Sequence, residues 1–246
     1  MNDTSVSVIR SFKVFEALAR ARHPLSSADI ARAIEAPRSS TADLLRTLVG
    51  LNLLSIDRRS ATYFPTARFS SLGNWLEQSW LGAGGLREVL RGFAEQCGET
   101  TVLSTPTDLE IEIVAVFETQ AGIAWSPEVG QRYPVFGSAI GTSYLATLPV
   151  STIRAMHRRI GSSQRQPELA TVLQDVRATQ RSGYAWNMGG FNPEVAALAC
   201  HLMHDSVQRP MFVAIGGPLK RMQEKRRSLE QQLTEFLGSR ALLAGR

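Results

Sequence analysis

The stretch that decides the fold is Leu25-Ser26-Ser27-Ala28-Asp29-Ile30-Ala31, followed by Ala36-Pro37-Arg38-Ser39-Ser40-Thr41-Ala42-Asp43-Leu44-Leu45-Arg46-Thr47-Leu48. Ser26 with Asp29 three residues on resembles a capping box. It opens a short helix whose Ile30 and Ile34 point inward. Ala36-Pro37 breaks that helix, and Pro37 suits the first turn of the next. The next helix is two-sided. Thr41, Leu45 and Leu48 form the inner side, with Leu44 flanking. Ser39, Ala42, Asp43 and Arg46 recur at i, i+3, i+4 and i+7, a small polar face with two charges.

Upstream, Val8, Phe12, Phe15 and Ala19 mark one face of a further helix, which Pro24 terminates. Downstream, Leu53-Leu54-Ser55-Ile56 and Ala61-Thr62-Tyr63-Phe64 flank Asp57-Arg58-Arg59-Ser60, a two-stranded hairpin with a basic tip. Three short helices and a basic hairpin make a winged helix-turn-helix. A helix fits the major groove, small residues allow close approach, and wing arginines neutralise phosphates or enter the minor groove. The candidate contacts to a double-stranded DNA operator are Arg38, Ser39, Ser40, Thr41, Ala42, Asp43 and Arg46, with Arg58 and Arg59 on the wing. A trihelical packing module with solvated charges is the competing view. Arg46 either meets a guanine or a phosphate or is an exposed helical arginine; Ser39 and Ser40 either donate to phosphates or cap the helix.

Composition agrees with this reading without forcing it. The 246 residues carry Lys+Arg 27 against Asp+Glu 22, a net charge of +5. Residues 1–80 hold ten of those bases and seven of the acids, so the surplus is densest there. It favours an acidic partner such as DNA only weakly. Two cysteines, Cys97 and Cys200, are too few for a disulfide framework. No run of 18 apolar residues is long enough to span a bilayer, and Met1-Asn2-Asp3-Thr4 lacks the order of a signal peptide. The expected location is cytoplasmic, with no membrane partner and no cofactor. Gly82-Ala83-Gly84-Gly85 is the best linker signal. The expected organisation is therefore residues 1–74 as the DNA-binding domain, 75–85 as a linker helix and hinge, and 86–246 as a second domain.

In that second domain, residues 86–97 read as an amphipathic helix. Residues 100–105, 110–117, 195–203 and 211–215 read as strands. Residues 137–148, 169–182 and 220–237 read as helices, the first closed by Pro149 and the second by Gly183. Strands and helices do not alternate as βαβ units, so an antiparallel α+β domain is expected.

The stretches quoted above resemble the IclR family of bacterial transcriptional regulators. The resemblance extends through Leu86-Arg87-Glu88-Val89, Cys97-Gly98-Glu99-Thr100, Gly130-Gln131-Arg132-Tyr133-Pro134, Gly137-Ser138-Ala139-Ile140-Gly141, Gly183-Tyr184-Ala185 and Gly216-Gly217-Pro218. It covers nearly the whole chain. It implies a dimer, or a dimer of dimers, on a pseudo-palindromic operator, and a GAF-like antiparallel sheet domain with flanking helices that binds an effector. Two departures stand out: Asp43 lies where the family usually carries a basic residue, and His201 where it usually carries proline.

The resemblance also places an effector pocket on Phe136, Gly137, Ser138, Ala139 and Ile140. On the later strands, the family's acid-holding positions fall on Asn187, Ala197, Ala214 and Gly216, which have lost charge or hydrogen-bonding capacity. A carboxylate buried without donors is costly. An effector larger or more apolar than glyoxylate or pyruvate is therefore expected, an aromatic or apolar acid, with Trp125, Tyr133, Phe136 and Met188 as wall or, alternatively, as ordinary core.

Other signals are weaker. In Cys200-His201-Leu202-Met203-His204, a strand would point the two histidines to opposite faces, wrong for joint metal ligation. Gly137-Ser138-Ala139-Ile140-Gly141 is not a nucleophile elbow, because its serine is one place early. The basic run Lys220, Arg221, Lys225, Arg226 and Arg227 spreads around a helix as a solvated surface. Trp75 and Trp80 serve dimer packing or local burial. A hydrolase built on the C-terminal half is the rival from another class, with no nucleophile–base pair to support it. A degenerate regulator whose first domain serves only assembly is a third.

Overall fold

Ser26 closes the N-terminus of α2 (Ser27–Ala33): its Oγ accepts from the Asp29 backbone N–H at 3.2 Å and donates to the Asp29 carboxylate at 2.7 Å. The structure, a computed structural model, describes residues 3–77, 85–119, 125–160, 167–204 and 209–244. The chain divides into two units, Met1–Ser79 and Trp80–Arg246. Gly82, Ala83 and Gly84 of the expected hinge, Trp80 and the Trp75 side chain lie outside the described residues. α4 (Ala67–Glu77) extends into residues 75–77, the start of the expected linker helix.

In the first unit, α1 (Asp3–Ala21) precedes α2 and α3 (Arg38–Gly50). One core joins Val14, Leu18, Ile30, Ile34, Leu45, Leu48 and Leu54. The stripe assigned to α1 needs correction. Val14, Ala17 and Leu18 are its inner residues with Phe15, whereas Val8 is 53% and Phe12 65% exposed. Ala19 is exposed too. β2 (Leu54–Asp57) and β3 (Thr62–Pro65) form the hairpin. β1 (Leu25–Ser26) adds a third strand through Leu25↔Tyr63 and Ser26↔Thr62, tying the N-cap of α2 to the wing.

The second unit is an antiparallel six-stranded sheet in the order β6-β5-β4-β9-β8-β7. The strands are β4 (Thr100–Thr107), β5 (Glu110–Phe117), β6 (Arg132–Pro134), β7 (Ala185–Met188), β8 (Val195–His204) and β9 (Pro210–Pro218). Side chains alternate faces along a strand, and each face has its own core. Val213 and Ile215 of β9 face α5 (Leu86–Cys97) and α10 (Arg226–Ala244), with Phe93, Leu229 and Leu233. Phe212 and Ala214 face α6 (Ala139–Leu145), α7 (Val150–Ile160) and α8 (Leu169–Ser182), with Ile140, Ile153 and Val176.

Two elements differ from expectation. The helix read at 137–148 is shorter, because Ser138 caps it. Pro149 then leads into α7. The long final helix is two, α9 (Leu219–Glu224) and α10, parted at Lys225. The Lys225 Nζ donates to the Cys97 carbonyl at 3.1 Å and to Glu99 at 2.9 Å. No described helix is long and apolar enough to cross a membrane.

Candidate functional site

The first candidate surface is the outer side of α3. Thr41 (1% exposed), Leu45 and Leu48 face the core. Helical periodicity then turns Ser39, Asp43 and Arg46 outward, with Ala42 half-buried between them. Arg38 is exposed as well. Thr41 was among the expected contacts and is a correction: its hydroxyl donates to the Pro37 carbonyl at 2.9 Å inside the unit. Ser40, half-buried, uses the same carbonyl at 3.1 Å. Arg46 and Asp43 form an ion pair one turn apart, with side chains 76% and 67% exposed. Such a pair is worth a few tenths of a kcal/mol, so a stronger acceptor can take Arg46 from it.

The hairpin tip is shaped by a residue that sequence reasoning treated only as part of a turn. The Asp57 carboxylate accepts from the Ser60 hydroxyl at 2.7 Å and from the Arg59 backbone N–H at 2.9 Å. Those bonds, the Ser60 hydroxyl foremost, lower its pKa below the ordinary aspartate value. Ala61 closes the turn at φ 52°. The result is a structured tip with Arg58 and Arg59 both exposed. Asp57 fixes the backbone that carries them.

The second candidate site is a cavity of about 170 Å³ in the C-terminal unit. Ser138, Ala139 and Ile140 at the start of α6 form part of its wall. Trp125 and Tyr133, Asn187 on β7, and Val195 and Ala197 on β8 line it further. Gln131, Phe191 and Asn192 complete the lining and are exposed, which makes them the rim. These three and Val195 were not anticipated. Gln131, Phe191 and Asn192 lie in loops, where no periodicity singles residues out. Expected lining residues Phe136, Gly137, Met188, Ala214 and Gly216 are not part of it. Met188 points to the other side of the sheet because strand residues alternate. Phe136 is core and meets the His157 ring edge-on at 5.2 Å. Ala214 is buried in the same layer. Gly137 contributes its carbonyl to Asn187 instead.

The polar groups of the cavity are mostly committed. Asn187 Nδ2 donates to the Gly137 carbonyl at 2.7 Å, and its Oδ1 accepts from the N–H groups of Gly190 and Phe191. An aspartate could not donate to that carbonyl, so the amide is the form this loop requires. Ser138 Oγ donates to Pro134 at 2.6 Å and accepts from Gly141 N–H at 3.0 Å. Gln131 and Asn192 each use the side-chain oxygen for a backbone N–H, which leaves the amide NH₂ of each as a donor. The Tyr133 hydroxyl accepts from the Trp125 indole at 3.2 Å and keeps its own proton to give. Burial raises the Tyr133 pKa, against the lowering effect of that hydrogen bond. No lysine, arginine or histidine lines the cavity among the described residues.

The two histidines of β8 correct another expectation. A bulge at Leu202 (His201↔Phe212, then Met203↔Met211) adds one residue to the strand, and the rings meet at 5.0 Å instead of facing apart. No group of three or more metal-ligating side chains forms among the described residues.

Comparison with known proteins places both units. Residues 7–58 match the model of the IclR helix-turn-helix domain, and residues 85–241 that of the bacterial transcriptional regulator IclR C-terminal domain. A probable transcriptional regulator SauR of Cupriavidus necator is 24% identical over 226 residues, covering 90% of this chain and 89% of that protein. Among solved structures, the Thermotoga maritima IclR (13% identical, TM-score 0.68) is similar over 95% of this chain and 99% of its own. An IclR homologue of Microbacterium hydrocarbonoxydans complexed with 4-hydroxybenzoate (16% identical, TM-score 0.67) covers the same shares.

Proposed function

This chain belongs to the IclR family of bacterial transcriptional regulators, and from that premise we propose how its two sites divide the work. It is a DNA-binding regulator with a C-terminal effector-binding domain, not an enzyme. α3 reads base edges through Arg46, with Ser39 and Ala42 allowing close approach, and Arg38, Arg58 and Arg59 grip phosphates. The observation that carries this is the outward presentation of Ser39, Asp43 and Arg46 on a helix whose other side is core. Gel shifts with DNA from upstream of its own gene test it: specific retardation supports the reading, and its absence at low salt refutes it.

The first unit also exposes Phe12, Val8 and Ile9 of α1 and Phe69 and Leu72 of α4, with the Phe15 and Phe69 rings stacked at 4.0 Å. So many large apolar side chains left in water by one small unit support self-association, with a second copy covering them. Two copies then set the spacing of two half-sites.

For the effector, we infer a single-ring aromatic acid. A cavity of roughly 150 Å³ admits benzene, and this one measures about 170 Å³. Ile140, Val195, Ala197 and Trp125 suit the ring. The Tyr133 hydroxyl inside the cavity, with the Gln131 and Asn192 amides at its rim, suits a carboxylate that stays partly hydrated. A relative's complex with 4-hydroxybenzoate agrees in chemical class. In a thermal-shift screen, a ligand at a hundred times its Kd adds about 2.7 kcal/mol, or about 5–10 °C for a unit of this size. Stabilisation by small aliphatic acids alone refutes the assignment.

A further inference from the structure

We propose that Gly216 and Trp125 together form the size filter of the effector cavity. The inference rests on the assignment of that cavity as the effector site, and it names the residues that set its ring capacity. Gly216 lies on β9 opposite Thr100 of β4 and Ala197 of β8. The Trp125 indole lies directly on it. A Cβ built on Gly216 would overlap Cε3 and Cζ3 of the indole and stand 2.9 Å from its Cδ2. Real Cβ atoms do not tolerate such approaches, so any other residue here expels the ring.

Three contacts hold Trp125 over that glycine. Its backbone carbonyl accepts from the Thr100 hydroxyl at 3.1 Å. Its indole N–H donates to Tyr133 at 3.2 Å. Its ring meets the Tyr133 ring at 6.4 Å, and Tyr133 in turn meets Phe191 at 5.6 Å. The glycine therefore makes room on the strand for an aromatic wall. With the indole in place, the cavity closes at one ring. With the indole absent, the floor extends over Gly216 and a fused two-ring acid fits. Gly216 does not itself line the cavity; it acts by admitting Trp125.

Four full-length proteins are used, each checked for folding by circular dichroism: wild type, Gly216→Ala and Trp125→Ala carry the test, and Trp125→Phe serves for assignment. Benzoate and 2-naphthoate are the probes, with binding read by calorimetry. The Trp125 indole N–H is followed by ¹H–¹⁵N NMR, with its resonance assigned through Trp125→Phe. Trp125→Ala is expected to bind 2-naphthoate at least ten-fold more tightly than wild type. In Gly216→Ala the indole resonance is expected to shift and exchange faster with water as the Tyr133 bond is lost. An unmoved resonance in Gly216→Ala overturns the filter, as does equal affinity of wild type and Trp125→Ala for 2-naphthoate, no binding to either included. If wild type fails to bind benzoate, the single-ring assignment falls, while the indole and naphthoate readouts still decide the filter.

Discussion

Removing the wing arginines tests the DNA-binding surface through a quantity that depends little on sequence. Arg58 and Arg59 are both exposed on a tip whose backbone Asp57 holds, so Arg58→Ala/Arg59→Ala deletes two cations without unmaking the turn. Each phosphate contact on duplex DNA contributes about 0.9 to the slope of log K against log salt. If both meet phosphates, the slope falls by about 1.8 per protomer bound. Between 50 and 200 mM salt, that makes the variant's loss of affinity roughly twelve-fold smaller per protomer than wild type's. The assay is fluorescence anisotropy with a labelled duplex across four or more salt concentrations. Thermal unfolding must be unchanged, since neither side chain is part of the core. A wild-type slope in the double variant refutes the wing as a phosphate-binding element, whatever happens to the affinity at any one salt.

Further outcomes follow from other parts of the molecule. Glu99 is fully buried and accepts from Arg221 at 2.7 and 2.6 Å and from Lys225 at 2.9 Å. Glu99→Gln should cost about 2–3 kcal/mol, below the 3–5 of a wholly buried pair because both cations remain partly exposed. Calorimetry should then show a melting point lower by about 5–10 °C, and a fall under 2 °C contradicts the clamp. Gly141→Ala drives a methyl into the Val135 carbonyl, so a loss of about 1–3 kcal/mol is expected in urea titrations. Burial raises the Cys97 and Cys200 thiols to about 12. At pH 8 a maleimide should therefore label neither in the native protein and both in urea. The sign of the linkage follows: the unfolded thiols ionise near 9 and the folded ones do not, so stability is intact below pH 9 and declines as pH rises towards 12.

What could be read from the chain beforehand was what repeats with a period or sits at a cap. Ser26 and Asp29 stand three apart, and the cap forms. Thr41, Leu45 and Leu48 share one helical side, and that side is buried. The stripe on α1 misled because its apolar residues include Val8 and Phe12, which periodicity alone cannot distinguish from core. β1 is two residues long, too short to carry any alternation. The break between α9 and α10 falls at Lys225, whose Nζ reaches Cys97 and Glu99, more than a hundred residues away in sequence. The histidine pair on β8 depends on a bulge that no local pattern announces. The cavity was half legible. Ser138, Ala139 and Asn187 come from recognisable motifs, whereas Gln131, Phe191 and Asn192 are brought to the rim by loops.

The outward side of α3 is the centre of the account, and Arg46→Ala addresses it most directly. Binding should be measured against a set of operator variants, each altered at one base pair. The account predicts a loss of about 1–3 kcal/mol that is uneven across the set, with discrimination relaxed at one position of each half-site. An equal loss against every variant would move Arg46 to the phosphates. Unchanged binding throughout would contradict the claim that this side of the helix meets DNA.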